Sequence, residues 1–157
     1  MTPRRSTARP ARRTKQAPRR VTVFIDGGSR GNPGPAAAGV VITAADGAVL
    51  HEAGIYLGRA TNNVAEYRGL LAGLQAAAAG GATDVEVVSD SELLVRQMTG
   101  EYRVKNPGLA PLAAEARRLA GRFTACTFRH VRRELNLRAD HLVNQALDAR
   151  ADVGGQG

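Results

Sequence analysis

Asp26, Glu66, Asp90 and Asp140 are the residues whose types and settings could do chemistry together. Asp26 closes an apolar run, Val21-Thr-Val-Phe-Ile-Asp26, and the Gly/Pro-rich stretch from Gly27 to Pro35 follows it. Glu66 opens a long Ala/Leu segment after Thr61-Asn-Asn63. Asp90 closes a second β-branched run, Val85-Glu-Val-Val-Ser-Asp90, and Asp140 lies early in a last helical segment. Acids at strand ends and helix starts are placed to converge on the carboxyl edge of a sheet, where open α/β folds put their ligands. Four hard oxygen donors suit Mg²⁺ or Mn²⁺ and suit zinc poorly. Clustered like charges raise one another's pKa unless cations neutralise them. Two divalent ions roughly 4 Å apart would neutralise the cluster and also supply reactivity.

Taken singly, three of the acids have a plainer explanation. Asn63 and Glu66 have the spacing of a capping box. Asp90 could cap a helix starting at Ser91, and Asp140 could complement a helix dipole in its first turn. Asp26 is harder to dismiss, because an acid ending an apolar strand is costly to desolvate unless something compensates it.

The elements that must position these groups follow from the pattern. Val21–Asp26 and Ala37–Thr43 read as strands joined through the Gly/Pro turn. Asp46-Gly47 is a hairpin signal before a third strand near Leu50–Leu57. A helix is expected over Val64–Ala79, stopped by Gly80-Gly81. A buried strand at Val85–Ser89, a short helix at Ser91–Met98, a loop over Thr99–Asn106 and a helix starting at Pro107 come next. Phe123–Val131 reads as a strand and Asn136–Ala149 as the last helix. The order β-β-β-α-β-α-α-β-α predicts an α/β domain. Its five-stranded mixed sheet has three antiparallel strands, then two parallel ones, flanked by helices.

With 157 residues, one domain is expected. Eight of the 22 basic residues lie in residues 1–20, which hold no acid, leaving 14 basic against 14 acidic residues in the remainder. The formal net charge of +8 therefore belongs to the tail. Residues 1–20 are expected to be a disordered basic tail, either a solvated extension or an arm on nucleic-acid phosphates. Residues 21–150 are expected to form the domain, and residues 151–157 a flexible C-terminus. The tail lacks the apolar core of a secretory signal, and no run approaches the roughly 18 apolar residues of a membrane span. Cys126 is alone, which points to strand packing and to a reducing, cytoplasmic setting.

Five blocks carry a resemblance: Phe24-Ile-Asp-Gly-Gly28, Gly31-Asn-Pro-Gly-Pro35, Thr61-Asn-Asn-Val-Ala-Glu66, Ser89-Asp-Ser91 and Ala139-Asp140. In this order, from about Val21 to Arg150, the chain resembles a type 1 ribonuclease H. The resemblance implies a ribonuclease H-like fold and an endonuclease that cuts the RNA strand of RNA–DNA hybrids, leaving 5′-phosphate and 3′-hydroxyl ends. It implies two Mg²⁺ ions per site, with Mn²⁺ as a substitute. Asp26 would bridge both, Asp140 and Asp90 would hold the one that activates water, and Glu66 with Asp26 the one at the leaving oxygen. Asn62 and Asn63 would read the minor groove, Thr61 and Asn106 would form a DNA-phosphate pocket, and Gly27, Asn32 and Ser91 would join the substrate contacts. A monomer is expected.

The chain also departs from the family pattern. The loop Arg132-Arg-Glu-Leu-Asn136 lacks the His that many members carry, so Glu134 or one of the two arginines would substitute. His130 sits on a strand and reads as structural. Glu92 stands where some relatives have Gln. The link from Met98 to Asn106 leaves no room for a basic helical handle, as in the compact branch of the family. Two other functions remain open: a nuclease of this kind acting on double-stranded RNA, and a silent hybrid-binding module. Concentrated negative charge has no use in a pure phosphate binder, which argues against the second.

Overall fold

The computed structural model describes residues 19–154. Six strands form one sheet: β1 (Arg20–Ser29), β2 (Gly34–Ala44), β3 (Val49–Ala60), β4 (Asp84–Ser89), β5 (Ala125–His130) and β6 (Val153–Gly154). The helices are α1 (Asn62–Ala79), α2 (Glu92–Met98), α3 (Ala110–Ala120) and α4 (Leu137–Ala149), with a 3₁₀ turn at Arg133–Leu135. The strand order is β5-β4-β1-β2-β3-β6. β1, β2 and β3 pair antiparallel, and β4 and β5 continue parallel to β1. The mixed α/β layering matches the expectation, with one strand more.

That extra strand lies where the sequence suggested a flexible end. Val153 and Gly154 pair with Gly54 and Ala53 of β3, and Asp152 Oδ1 accepts a hydrogen bond from the Tyr56 N–H at 2.8 Å. A two-residue strand is too short to show alternation in sequence. At the other end, Arg19 and Arg20 already belong to the fold. The Arg19 guanidinium donates to the Gly80 carbonyl at 2.9 Å, and Arg20 opens β1. The proposed arm over residues 1–18, and residues 155–157, lie outside the described residues.

Alternation sorts each strand between two layers. Val21, Val23 and Ile25 of β1, with Val40, Ile42, Val85 and Val87, face α1, α2 and α3 and form the main core with Leu70, Leu74, Leu94 and Leu119. Ala37 and Val41 face the opposite side, where Ala139, Leu142, Val143 and Ala146 of α4 cover them. α1 is rich in Ala and Leu, both strong helix formers, and Gly81 with φ +84° follows its end. The Asp46-Gly47 turn forms as expected, with Gly47 at φ +89°.

Three boundaries move for local reasons. α3 starts at Ala110 and not at Pro107, because Asn106 organises a turn first: its Oδ1 accepts from the Gly108 N–H at 2.7 Å. β5 is shorter than Phe123–Val131, and Phe123 packs on the main core outside the ladder. α1 begins at Asn62 with Thr61 as its cap. Between α2 and α3 there is no helix, so the compact link stands as expected.

Candidate active site

β1 and β4 run parallel side by side, so their carboxyl ends share one edge. Asp26 sits near the end of β1, with Asp90 just beyond the end of β4. α1 lies over that edge and contributes Glu66 from one turn inside the helix, while α4 contributes Asp140 from its first turn. Carboxylate oxygens of Asp26, Glu66 and Asp90 all lie within 4.8 Å of one another. Asp140 is outside that trio, but its side chain and charge help to raise the pKa of Asp26. Asp26 thus belongs to the trio and is influenced by Asp140 as well. Asp90 groups with Glu66 in this arrangement, whereas the family resemblance paired it with Asp140.

Two glycines permit this approach. A Cβ on Gly27 would lie 2.4 Å from the Ala65 carbonyl carbon and 2.5 Å from the Glu66 nitrogen, so only glycine lets α1 settle with Glu66 beside Asp26. Gly39 pairs directly with Asp26 in the β1–β2 ladder. A Cβ there would lie 2.3 Å from the Ala139 carbonyl oxygen, so its absence seats α4 and its Asp140 against the sheet.

Two of the three plainer explanations fail in the structure, whereas Asp140 does lie in the first turn of α4 as expected. Thr61, not Asn63, caps α1: its Oγ1 accepts from the Val64 N–H at 3.1 Å. Ser91, not Asp90, caps α2, with its Oγ accepting from the Leu94 N–H at 3.2 Å. Neither Glu66 nor Asp90 is needed to start a helix.

Electrostatics mark the cluster as unbalanced. Burial pushes the Asp26 carboxyl up to about 8, helped by the charges of Asp90 and Asp140 and opposed by the Gly27 N–H. Burial likewise raises Glu66 to about 7; a Ser91 hydrogen bond lowers it and the Asp90 charge raises it. Raised carboxylate values of this kind come from burial and mutual repulsion, which a bound divalent cation would offset.

The four acids line a polar cleft of about 560 Å³, together with Gly27, Asn62, Asn63, Ser91 and Arg133 among others. Asn32 stands beside it and fixes the helix start, its Oδ1 accepting from the Asn62 N–H at 3.0 Å. Asn62 Oδ1 in turn accepts from the Ser29 N–H at 2.8 Å. Thr61 and Asn106 lie outside the cleft lining, on their own turns. Glu134 is exposed, 3.6 Å from Arg132 and outside the cleft lining. Of the loop residues considered as a His substitute, Arg133 is the one that reaches the site, 3.4 Å from Asp140.

Sequence reasoning missed Asn136 and Asn144. Buried Asn136 donates through Nδ2 to the Ile25 carbonyl at 2.8 Å, tying the entry of α4 to β1 next to Asp26. In sequence Asn136 reads only as a helix start, since nothing there shows a side chain reaching 111 residues back. Asn144 lines the cleft, and its Nδ2 donates to the Asp140 carbonyl at 3.2 Å. A helical spacing from Asp140 was the available signal.

Comparison with known proteins places this geometry. A family described as reverse transcriptase-like matches residues 24–146. A bifunctional protein of Mycobacterium tuberculosis is 50% identical over 133 residues, 84% of this chain and 36% of its own length. Its solved N-terminal ribonuclease H domain, fused to maltose-binding protein, superposes with a TM-score of 0.81, over 83% of this chain and 95% of that one. Ribonuclease HI of Halobacterium salinarum is 47% identical over 82% of this chain and 65% of its own length. LC11-RNase H1, solved in complex with RNA/DNA hybrid, is 45% identical with a TM-score of 0.79, over 83% of this chain and 98% of that one. The chain thus spans about a third of the mycobacterial relative and less than two thirds of the halobacterial one.

Proposed function

The chain belongs to the type 1 ribonuclease H family, and on that premise we propose that it is an endonuclease hydrolysing the RNA strand of RNA–DNA hybrids. The observation that carries this reading is the carboxylate cluster. Asp26, Glu66 and Asp90 meet within 4.8 Å at a sheet edge, with Asp140 against Asp26. The donor set fits hard divalent cations, since it is all oxygen and its pKa values are raised by burial and mutual repulsion. Asp26, Glu66, Asp90 and Asp140 would hold Mg²⁺ or Mn²⁺, two ions per site. Bound there, the ions supply the charge that activates water and stabilises the departing 3′-oxygen, which gives 5′-phosphate and 3′-hydroxyl ends.

The chain's own residues position and discriminate. Ser91 caps α2 and its hydrogen bond lowers the Glu66 pKa, and in this reading water is the nucleophile. Asn62 and Asn63 are exposed at the cleft beside Glu66, where amides can read 2′-hydroxyls and base edges across a minor groove. Arg133, beside Asp140, takes the place of the loop His found in many members. The half-buried Cys126 thiol, pushed up to about 11 by burial, is an unreactive packing group. No helix among the described residues is long and apolar enough to cross a membrane.

The test is a cleavage assay on end-labelled RNA–DNA hybrid, duplex DNA and duplex RNA, with and without Mg²⁺ or Mn²⁺, followed by analysis of product ends. Metal-dependent cutting of the RNA strand of the hybrid is expected. Preference for duplex RNA would move the substrate to double-stranded RNA, and hybrid binding with no cleavage in either metal would overturn the enzyme reading.

A further inference from the structure

A phosphate backbone entering this cleft meets four carboxylates, so the cations on its walls bear heavily on whether it stays. Among the described residues two basic side chains line it, Arg133 and Arg30. Arg133 lies against Asp140, one of the four acids. Arg30 has a different setting. It sits on the β1–β2 turn, which is held from several directions. Its N–H donates to the Pro35 carbonyl at 2.8 Å, and both the N–H and hydroxyl of Ser29 donate to Asn62 Oδ1, at 2.8 and 3.1 Å. A Cβ on Gly34 would stand 2.1 Å from the Arg30 carbonyl oxygen, so the turn closes tightly under the arginine. The guanidinium is therefore displayed at the cleft wall by a fixed stretch of backbone.

Its partner is Asp148, with Nη2 to Oδ1 at 2.8 Å and side chains 50% and 71% exposed. A pair so open to water contributes little to the fold. Asp148 also lies in the last turn of α4, which holds no basic residue, at the negative end of the helix dipole where a carboxylate is disfavoured.

We propose that Arg30 is a phosphate-binding residue of the substrate cleft and that Asp148 is its internal competitor. Asp148 holds the guanidinium in the free protein and yields it to a backbone phosphate of the hybrid. The exchange replaces one charge-assisted pair by another, since the guanidinium fork fits carboxylate and phosphate alike. The inference rests on the reading of the cleft as a hybrid-binding site.

The experiment measures Kd for a fluorescein-labelled RNA–DNA hybrid by anisotropy, in EDTA and across a salt series, using the full chain and its variants. Arg30→Ala is expected to raise Kd about five- to tenfold and to reduce the slope of log Kd against log salt by about one. Arg30→Lys keeps the slope but binds more weakly than Arg. Asp148→Asn binds about two- to threefold more tightly, with melting temperature level or raised. In the Arg30→Ala background, Asp148→Asn changes nothing further. An unchanged Kd and slope for a folded Arg30→Ala variant overturns the proposal. So does tightening by Asp148→Asn that persists without Arg30, which would mark a general charge effect. Wild-type hybrid cleavage beside a null Arg30 result would overturn this inference alone. Failure of the wild type both to bind hybrid in EDTA and to cleave it with Mg²⁺ or Mn²⁺ would overturn both readings.

Discussion

Asp26 belongs to the trio and is influenced by Asp140 as well, and its titration gives the cluster a measurable signature. Its carboxyl moves from the ordinary 3.8 up to about 8, chiefly through burial. Between those values the unfolded chain has released a proton that the metal-free fold retains, so stability falls as pH rises through the window. Metal binding opposes the same repulsion, so the gain in melting temperature on adding Mg²⁺ should grow from about pH 5 to about pH 8. Melts in EDTA and in Mg²⁺ across that range check the sign. Asp26→Asn should flatten the metal-free slope, abolish cleavage and leave the metal-free fold as stable or more so; retained Mg²⁺-dependent cutting would sink the assignment. Thr61 and the two asparagines after it separate capping from recognition. Thr61→Ala should cost about 1 kcal/mol of stability as a lost cap. Changing Asn62 and Asn63 together to Ala should raise KM for hybrid without that capping loss, read from kinetics and melts of both variants. The four acids were legible because each sits at a strand end or helix start. The identity of the cap was not, since Thr61, Asn62 and Asn63 are all competent caps and only backbone geometry chooses among them.

At the scale of elements, the site is set by how closely two helices lie on the sheet. Gly27 admits α1, and Gly39, directly across the ladder from Asp26, admits α4. Gly39→Ala should push α4 outward, cost about 1–3 kcal/mol of stability as overpacking, and separate Asp140 from Asp26. The expected readout is a lower kcat and a higher Mg²⁺ midpoint, with KM for hybrid little changed. An unaltered metal midpoint in a folded variant would mean that the close contact does not set the carboxylate geometry. Strands and helices could be read from alternation, turn residues and the Gly80-Gly81 stop. The two-residue β6 could not, because its pairing depends on β3, about 100 residues earlier. The late start of α3 was hidden likewise, because Pro107 suits both a helix start and the turn that Asn106 builds before it.

Across the whole molecule, charge is divided unevenly. Six of the eight N-terminal cations precede Arg19, while residues 21–157 balance 14 basic against 14 acidic side chains. If the arm over residues 1–18 holds polyanions by counterion release, deleting it should weaken hybrid binding and flatten its salt dependence, with little change in kcat at saturating substrate. Superimposable plots of Kd against salt for full-length and truncated protein would remove that role. The tail has no aromatic residue, so the same deletion should leave the preference for hybrid over duplex DNA unchanged. The position of β1 carries a further consequence. It lies inside the six-stranded sheet, paired on both edges, with α1 on one face and α4 on the other. The strand that bears Asp26 is therefore among the last to open. Its amides should take up deuterium only when the sheet as a whole comes apart, while the β3–β6 margin should exchange through local fraying. An ion held by Asp26 thus bears on one of the most protected strands of the sheet, and its occupancy should be readable in the protection of β1 as a free energy of binding.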